Sequence, residues 1–171
     1  TLELRPDDCN AIQVSDLPYS DNFDSYTTSH TAKTMVEPDC WTLAHQDVAM
    51  TDEYKPMVYY NASNAHSGSY SLLLNKRCIY AMPEFNGDVS SLQLSMYIKQ
   101  GVAKYQLQVG VMSNLNDPST FVPVATINNS STSASVLSTV SFESYSGNGR
   151  YIAFRNVLPS GVSENFSCNY I

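Results

Sequence analysis

The chain has 171 residues and a formal net charge of −7, from 9 basic and 16 acidic side chains. That length suffices for one domain burying roughly 70% of its unfolded surface. Arg150 and Arg155 are isolated and Lys76-Arg77 is only a pair, so the sequence lacks the basic stripe that nucleic acid or an anionic membrane surface calls for, which argues against both as partners, and no apolar run approaches the roughly 20 residues of a membrane span.

Residues 1–17 read as a polar linker or strap with an edge strand near Ala11 to Val14. Thr1 opens without Met, as in a cut from a larger polypeptide. Asn22-Phe23-Asp24 begins the domain proper. Cys40 to Leu43 reads as a short strand with the single tryptophan, Trp41, as core anchor. Residues 45 to 57 carry charges without a period and read as a loop. Met57 to Tyr60 is a strand, Asn64 to Gly68 is turn chemistry, and Tyr70, Leu72 and Leu74 share one face of the next strand. Ile79 to Met82 is a strand stopped by Pro83, and Asn86-Gly87 is a turn.

From Ser91 to Phe121 the period is two. Leu92, Leu94, Met96 and Ile98 alternate with polar residues or Tyr97, and Tyr105, Leu107, Val109 and Val111 repeat the pattern. Two such strands joined by a short loop containing Gly101 predict an antiparallel hairpin with a wet outer face. Tyr97 and Tyr105 are then expected opposite each other across it. Phe121 to Ile127 is a strand in which Pro123 predicts an edge or a bulge. Ser138 to Phe142 follows, with Thr139 and Ser141 outward. Ser146 to Gly149 turns into Tyr151 to Phe154, and Tyr170-Ile171 opens a last strand. Nine to eleven strands at this spacing predict an all-β, two-sheet antiparallel sandwich.

Four cysteines, Cys9, Cys40, Cys78 and Cys168, show no C-x-x-C spacing, which argues against a zinc knuckle or a redox pair. They allow three full disulfide pairings or buried thiols, and the sequence does not choose among them.

The segment Pro18-Tyr19-Ser20-Asp21-Asn22-Phe23-Asp24-Ser25-Tyr26 resembles the opening of MAM-like jelly-roll modules of Bacteroidetes surface proteins, related to the cleaved-adhesin type. Pro38 to Trp41, Ala65 to Leu72, Tyr80 to Glu84, Leu92 to Ser95, Val109 to Met112, Ser119 to Val124 and Gly149 to Phe154 are similar to that family in the same order. The resemblance covers residues 18–171. It implies a jelly-roll sandwich at the cell surface, monomeric and one of several modules in a longer chain. The family continues its last strand with an Asp-Asp pair after Tyr-Ile, a pair that Ile171 leaves outside this sequence.

The resemblance also implies a structural Ca²⁺ with Asp24 and the turn from His66 to Ser69 as ligands. Ca²⁺ takes six to eight oxygens, so Asp24 alone does not make a site; capping a turn is the other role for that carboxylate. Glycan-binding platforms stack sugars on exposed tyrosines, and Tyr54, Tyr59 and Tyr60, in or beside a loop, are the candidates. For catalysis, His30, His45 and His66 lack partners at motif spacing, and no H-E-x-x-H, G-x-S-x-G or P-loop pattern occurs. The acid pairs Asp7-Asp8 and Asp52-Glu53 are adjacent, hence on opposite faces of a strand, and make poor acid/base dyads. Four Asn-x-Ser triplets, at Asn61, Asn128, Asn129 and Asn165, fit the N-glycosylation pattern, and are chance matches if the source is bacterial, as the resemblance implies.

The expectation is a non-enzymatic module on an extracellular or outer cell surface, an adhesin or carbohydrate-binding domain whose partner is a glycan or a host surface protein. The alternatives are a structural spacer and an accessory domain of a secreted protease or glycoside hydrolase.

Overall fold

The computed structural model describes residues 9–26, 36–46, 56–75, 77–101, 106–127, 131–157 and 168–171. Ten strands form two five-stranded antiparallel sheets. In the first, the spatial order is Val136–Ser141 (β10), Gln93–Gln100 (β7), Cys168–Tyr170 (β12), Tyr70–Asn75 (β4) and Met57–Tyr60 (β3). In the second it is Thr42–Gln46 (β2), Cys78–Ala81 (β5), Tyr151–Val157 (β11), Gln106–Met112 (β8) and Val122–Ile127 (β9). A parallel two-residue ladder joins Ile12–Gln13 (β1) to Phe85–Asn86 (β6). The predicted all-β sandwich is thus the observed fold. Among the described residues most consecutive strands lie in opposite sheets, as in a jelly roll, and only β3–β4 and β8–β9 are hairpins.

The core lies between the sheets. Leu72 and Leu74 of β4 and Ile98 of β7 meet Leu107 and Val109 of β8 and Phe154 of β11, all at most 1% exposed. In β7 the alternation holds as the sequence implies: Met96 and Ile98 are buried, while Gln93, Ser95 and Tyr97 face out. The centre of the second sheet, β5, β11 and β8, is largely buried on both faces. Leu115 and Phe121 fold back over Ile79, Ala81, Met112 and Ala153 on its outside, which is why β5 reads as a continuous buried run rather than an alternating one. Gly110 permits that cover, because a Cβ there would meet the Phe121 ring at 2.7 Å.

The expected hairpin of β7 and β8 is not formed. β7 pairs with β10 and β12, β8 pairs with β11 and β9, and the two strands face each other across the core. Alternation reports which face of a strand is buried, and both sheets bury theirs in the same core, so it could not distinguish neighbours in a sheet from partners across the sandwich. Tyr105 lies outside the described residues. Pro123 has both expected settings: β9 is an edge strand, and the β8–β9 register shifts at Val109/Gly110, opposite Ala125 and Pro123.

Trp41 is buried as expected but precedes β2 instead of lying in a strand. Cys40 beside it has φ of 63° and is disulfide-bonded to Cys9, with Cα atoms 5.4 Å apart. That bond, the β1–β6 ladder and the packing of Ile12, Val14 and Leu17 against the core hold residues 9–17 on the sandwich. Cys78 is a buried thiol on β5.

Candidate functional site

The segment from Tyr19 to Tyr26 is shaped by short polar side chains closing on their own backbone. Asp21 Oδ1 accepts the Phe23 N–H at 2.8 Å, and Asn22 Oδ1 accepts the Asp24 N–H at 3.2 Å. Such Asx turns stabilise tight backbone reversals, and here they hold Phe23 at φ of 60°, unusual for a bulky side chain. The Phe23 ring is thereby wedged edge-on against Trp41, centroids 5.9 Å apart. Trp41 in turn stacks with Tyr80 and Phe154.

The β3–β4 turn completes the same end of the molecule. Asn61 donates its N–H to Ser69 O and accepts that of Ser63, both at 2.9 Å. Gly68, at φ of 61°, sits so close to the Asp24 carboxylate that a Cβ there would collide with it, and Asp24 Oδ1 accepts the Ser69 N–H at 3.2 Å. The His66 ring stacks nearly parallel on Tyr97 of β7.

Between these parts lies a cleft of about 230 Å³ that opens between the sheets. Its walls are apolar inside, from Met82, Leu94, Met96, Phe154 and Ile171, and polar at the mouth, from Tyr19, Asp21, His66 and Ser95. Burial is the main influence raising the Asp21 carboxyl above its usual range, against the lowering effect of the Phe23 N–H. Burial, then the charge of Asp21, raises the Tyr19 hydroxyl as well. The Trp41 indole N–H lies near enough to the Tyr19 hydroxyl to lower its pKa, yet has no hydrogen-bond partner within bonding geometry among the described residues.

The aromatic residues among the exposed large side chains are Tyr19, Tyr60 and Tyr97, at 37%, 51% and 38%. Tyr19 and Tyr97 line the cleft, and Tyr60 packs against Tyr70, which also lines it, at 5.1 Å between centroids. Tyr19 and Tyr97 therefore rim one opening, and Tyr60 stands beside it, behind Tyr70. Three carboxylates, Asp21, Asp24 and Asp39, belong to this end of the molecule. The Lys99 ammonium nearby is committed to Ser63 O and Asn64 Oδ1.

Of the residues singled out from the sequence, Asp24, His66 and Ser69 do come together around this turn, as a carboxylate-to-backbone contact and an aromatic stack. Among the described residues no three His, Cys, Asp or Glu side chains gather to hold a metal ion. Asp24 supplies one carboxylate, with one oxygen already on Ser69, so these residues do not by themselves fit Ca²⁺. Tyr60 lies beside the cleft, against Tyr70. Tyr59 points to the other face of β3, against Tyr170 at 5.9 Å, and Tyr54 lies outside the described residues. Sequence reasoning missed Tyr19, Asp21 and Tyr97 as parts of one opening. The signal for Asp21 was the run of Asx turns in Asp21-Asn22-Phe23-Asp24. Nothing local tied it to β7.

The fold and this opening define the chain as a two-sheet jelly-roll module with a cleft at one end. It is similar to the K2 cleaved adhesin domain of Lys-gingipain, with a TM-score of 0.63 and 15% sequence identity over 89% of this chain and 94% of that one. At that identity the likeness is one of fold. No family model and no curated protein matches the sequence.

Proposed function

We propose that this chain is a non-catalytic binding module of a bacterial extracellular protein, an adhesin-type domain that engages a glycan or a glycosylated host surface protein. The observation that carries the proposal is the convergence of Tyr19 and Tyr97 on one opening, with Tyr60 beside it against Tyr70. Exposed aromatic faces offer the C–H side of a sugar a flat contact, while hydroxyl and carboxylate groups at the mouth fix its hydroxyls. The three carboxylates at this end favour neutral sugars over sialylated or sulfated ones, because like charges at short range repel. The Cys9–Cys40 disulfide supports an oxidising compartment.

A glycan array and a mucin pull-down test the proposal. Binding that falls at least tenfold in Tyr60→Ala and Tyr97→Ala, with the fold intact by circular dichroism, is the expected result. Silence across broad arrays would leave the structural spacer as the better description. An accessory role in a larger secreted protease or glycoside hydrolase is supported by the fold likeness to one domain of Lys-gingipain. The proposal includes a structural Ca²⁺ at Asp24 and the His66–Ser69 turn, an ion that would need further oxygen ligands besides these. A melting temperature identical in Ca²⁺ and in EDTA would remove it.

A further inference from the structure

Among the described residues the edges of the two sheets are β10 and β3, and β2 and β9. Three of them are blunted. On β9, Pro123 lacks an N–H and the pairing register shifts beside it. On β2 the register shifts between Leu43 and His45. On β3 the outward N–H of Val58 is taken by Val36 O at 2.8 Å. β10 carries none of these devices. Its residues, Val136-Leu137-Ser138-Thr139-Val140-Ser141, include no charge, proline or glycine and pair with β7 without a shift. An uncharged, regular edge of that length is a template for another strand. In an antiparallel ladder each residue turns its N–H and C=O to one side, alternating along the strand. Phe142 donates to Leu92 O, so the even-numbered residues of β10 face β7. The main chains of Leu137, Thr139 and Ser141 therefore face away from the sheet, and no described backbone meets them. The same stretch exposes Val136 and Leu137, at 42% and 54%.

We propose that β10 is a self-association edge, pairing antiparallel with β10 of a second copy of this chain about a two-fold axis at Thr139, so that two copies of the first sheet become one continuous sheet. Charge selects a second copy as the occupant. A copy of a chain with net charge −7 is repelled unless the surfaces that meet are uncharged. β10 meets that condition. So does the row of β7 beside it, where Tyr97, Ser95 and Gln93 lie opposite Leu137, Thr139 and Ser141. The two-fold register sets Thr139 opposite Thr139 of the other copy, and Leu137 opposite its Ser141. Each outward N–H and C=O of the three residues then gains a partner. With the other edges blunted, the assembly closes at two copies. A ladder this short buries less than the roughly 1,200 Å² of a standard interface, so the dimer is weak, with a Kd on the order of 10⁻⁴ M. Neither a sugar nor the cleft takes part, so self-association and sugar binding stand or fall separately.

Sedimentation equilibrium and amide exchange of the 171-residue chain, between about 10 μM and about 1 mM, test the proposal. The expected result is a monomer–dimer equilibrium. Exchange at the Leu137, Thr139 and Ser141 amides should slow about fivefold at the higher concentration, while the Ser138 and Val140 amides, which face β7, do not change. Thr139→Lys and Thr139→Glu each set like charges opposite one another at the axis and should weaken the dimer about fivefold. An equimolar mixture of the two variants should associate more tightly than either alone, because opposite charges then meet, and that recovery separates a lost contact from a lost fold. A chain that stays monomeric throughout would overturn the proposal. So would a dimer whose Leu137, Thr139 and Ser141 amides exchange as freely as in the monomer, a mixture no tighter than its components, or growth beyond two copies.

Discussion

Asn169 on β12 donates its Nδ2–H to Asn156 Oδ1 on β11 at 2.7 Å, a buried hydrogen bond that spans the core and ties the two sheets together. Asn156 Nδ2 in turn donates to Leu74 O at 2.9 Å. Removing one member strands the other. Asn156→Ala leaves the Asn169 amide without that acceptor in the interior and should cost about 2–4 kcal/mol in urea unfolding. Replacing both residues with Leu removes both polar groups, so the double variant should be less destabilised than the sum of the two single Leu variants by about 1–2 kcal/mol. Strict additivity would show that the bridge is energetically idle.

Tyr80 places its hydroxyl in the core with no hydrogen-bond partner among the described residues. Burial drives its pKa far above the ordinary tyrosine range, with smaller contributions from Glu37, Cys78 and Tyr26. The ring contributes by stacking on Trp41 at 5.7 Å. Tyr80→Phe keeps the ring and deletes a buried group that water would otherwise satisfy. It should therefore stabilise the protein by about 0.5–1 kcal/mol. A loss of stability would reveal a partner for the hydroxyl.

The Cys9–Cys40 bond closes a loop with a sequence separation of 31. Cross-linking over that span reduces the entropy of the unfolded chain by an amount worth about 3–4 kcal/mol. Paired Cys9→Ser and Cys40→Ser substitutions should lower the unfolding free energy by about that much and leave the slope with denaturant smaller or larger only through the unfolded state. A change below about 1 kcal/mol would mean that residues 9–17 are held mainly by the β1–β6 ladder and by apolar packing.

Asp21 has its pKa raised by burial, in a setting that also contains Tyr19, Tyr26 and Asp39. Between the ordinary carboxylate pKa and this raised value the native state binds more protons than the unfolded one. Stability therefore falls as pH rises through that window. Asp21→Asn keeps an oxygen for the Phe23 N–H and removes the charge. Its melting temperature at pH 7 should exceed that of the parent by about 1–3 °C, with the difference vanishing below roughly pH 4. A gain of the same size at both pH values would assign it to something other than ionisation.

Much of the fold can be read locally. Met57 to Tyr60 reads as a strand and is β3, and Leu72 and Leu74 share the inner face of β4 as their spacing implies. Pro123 marks an edge because a residue without an N–H cannot sit mid-sheet. The site is less legible. Tyr60 could be named as exposed, but Tyr19 and Tyr97 lie far from each other in the sequence. Only chain folding brings them to one rim. The expected β7–β8 hairpin failed for a related reason: a short connection can cross between layers as readily as it can turn within one.

By itself the sequence determined which segments are extended, which side of each is oily, and that the chain buries one core, because period-two alternation is a property of neighbouring residues. The tertiary structure alone decided which strands hydrogen-bond, which cysteines join, and that Tyr19 and Tyr97 meet at one cleft. Those outcomes depend on contacts between residues far apart in the chain. Such contacts are chosen by the free energy of the whole assembled core, and no local pattern encodes them.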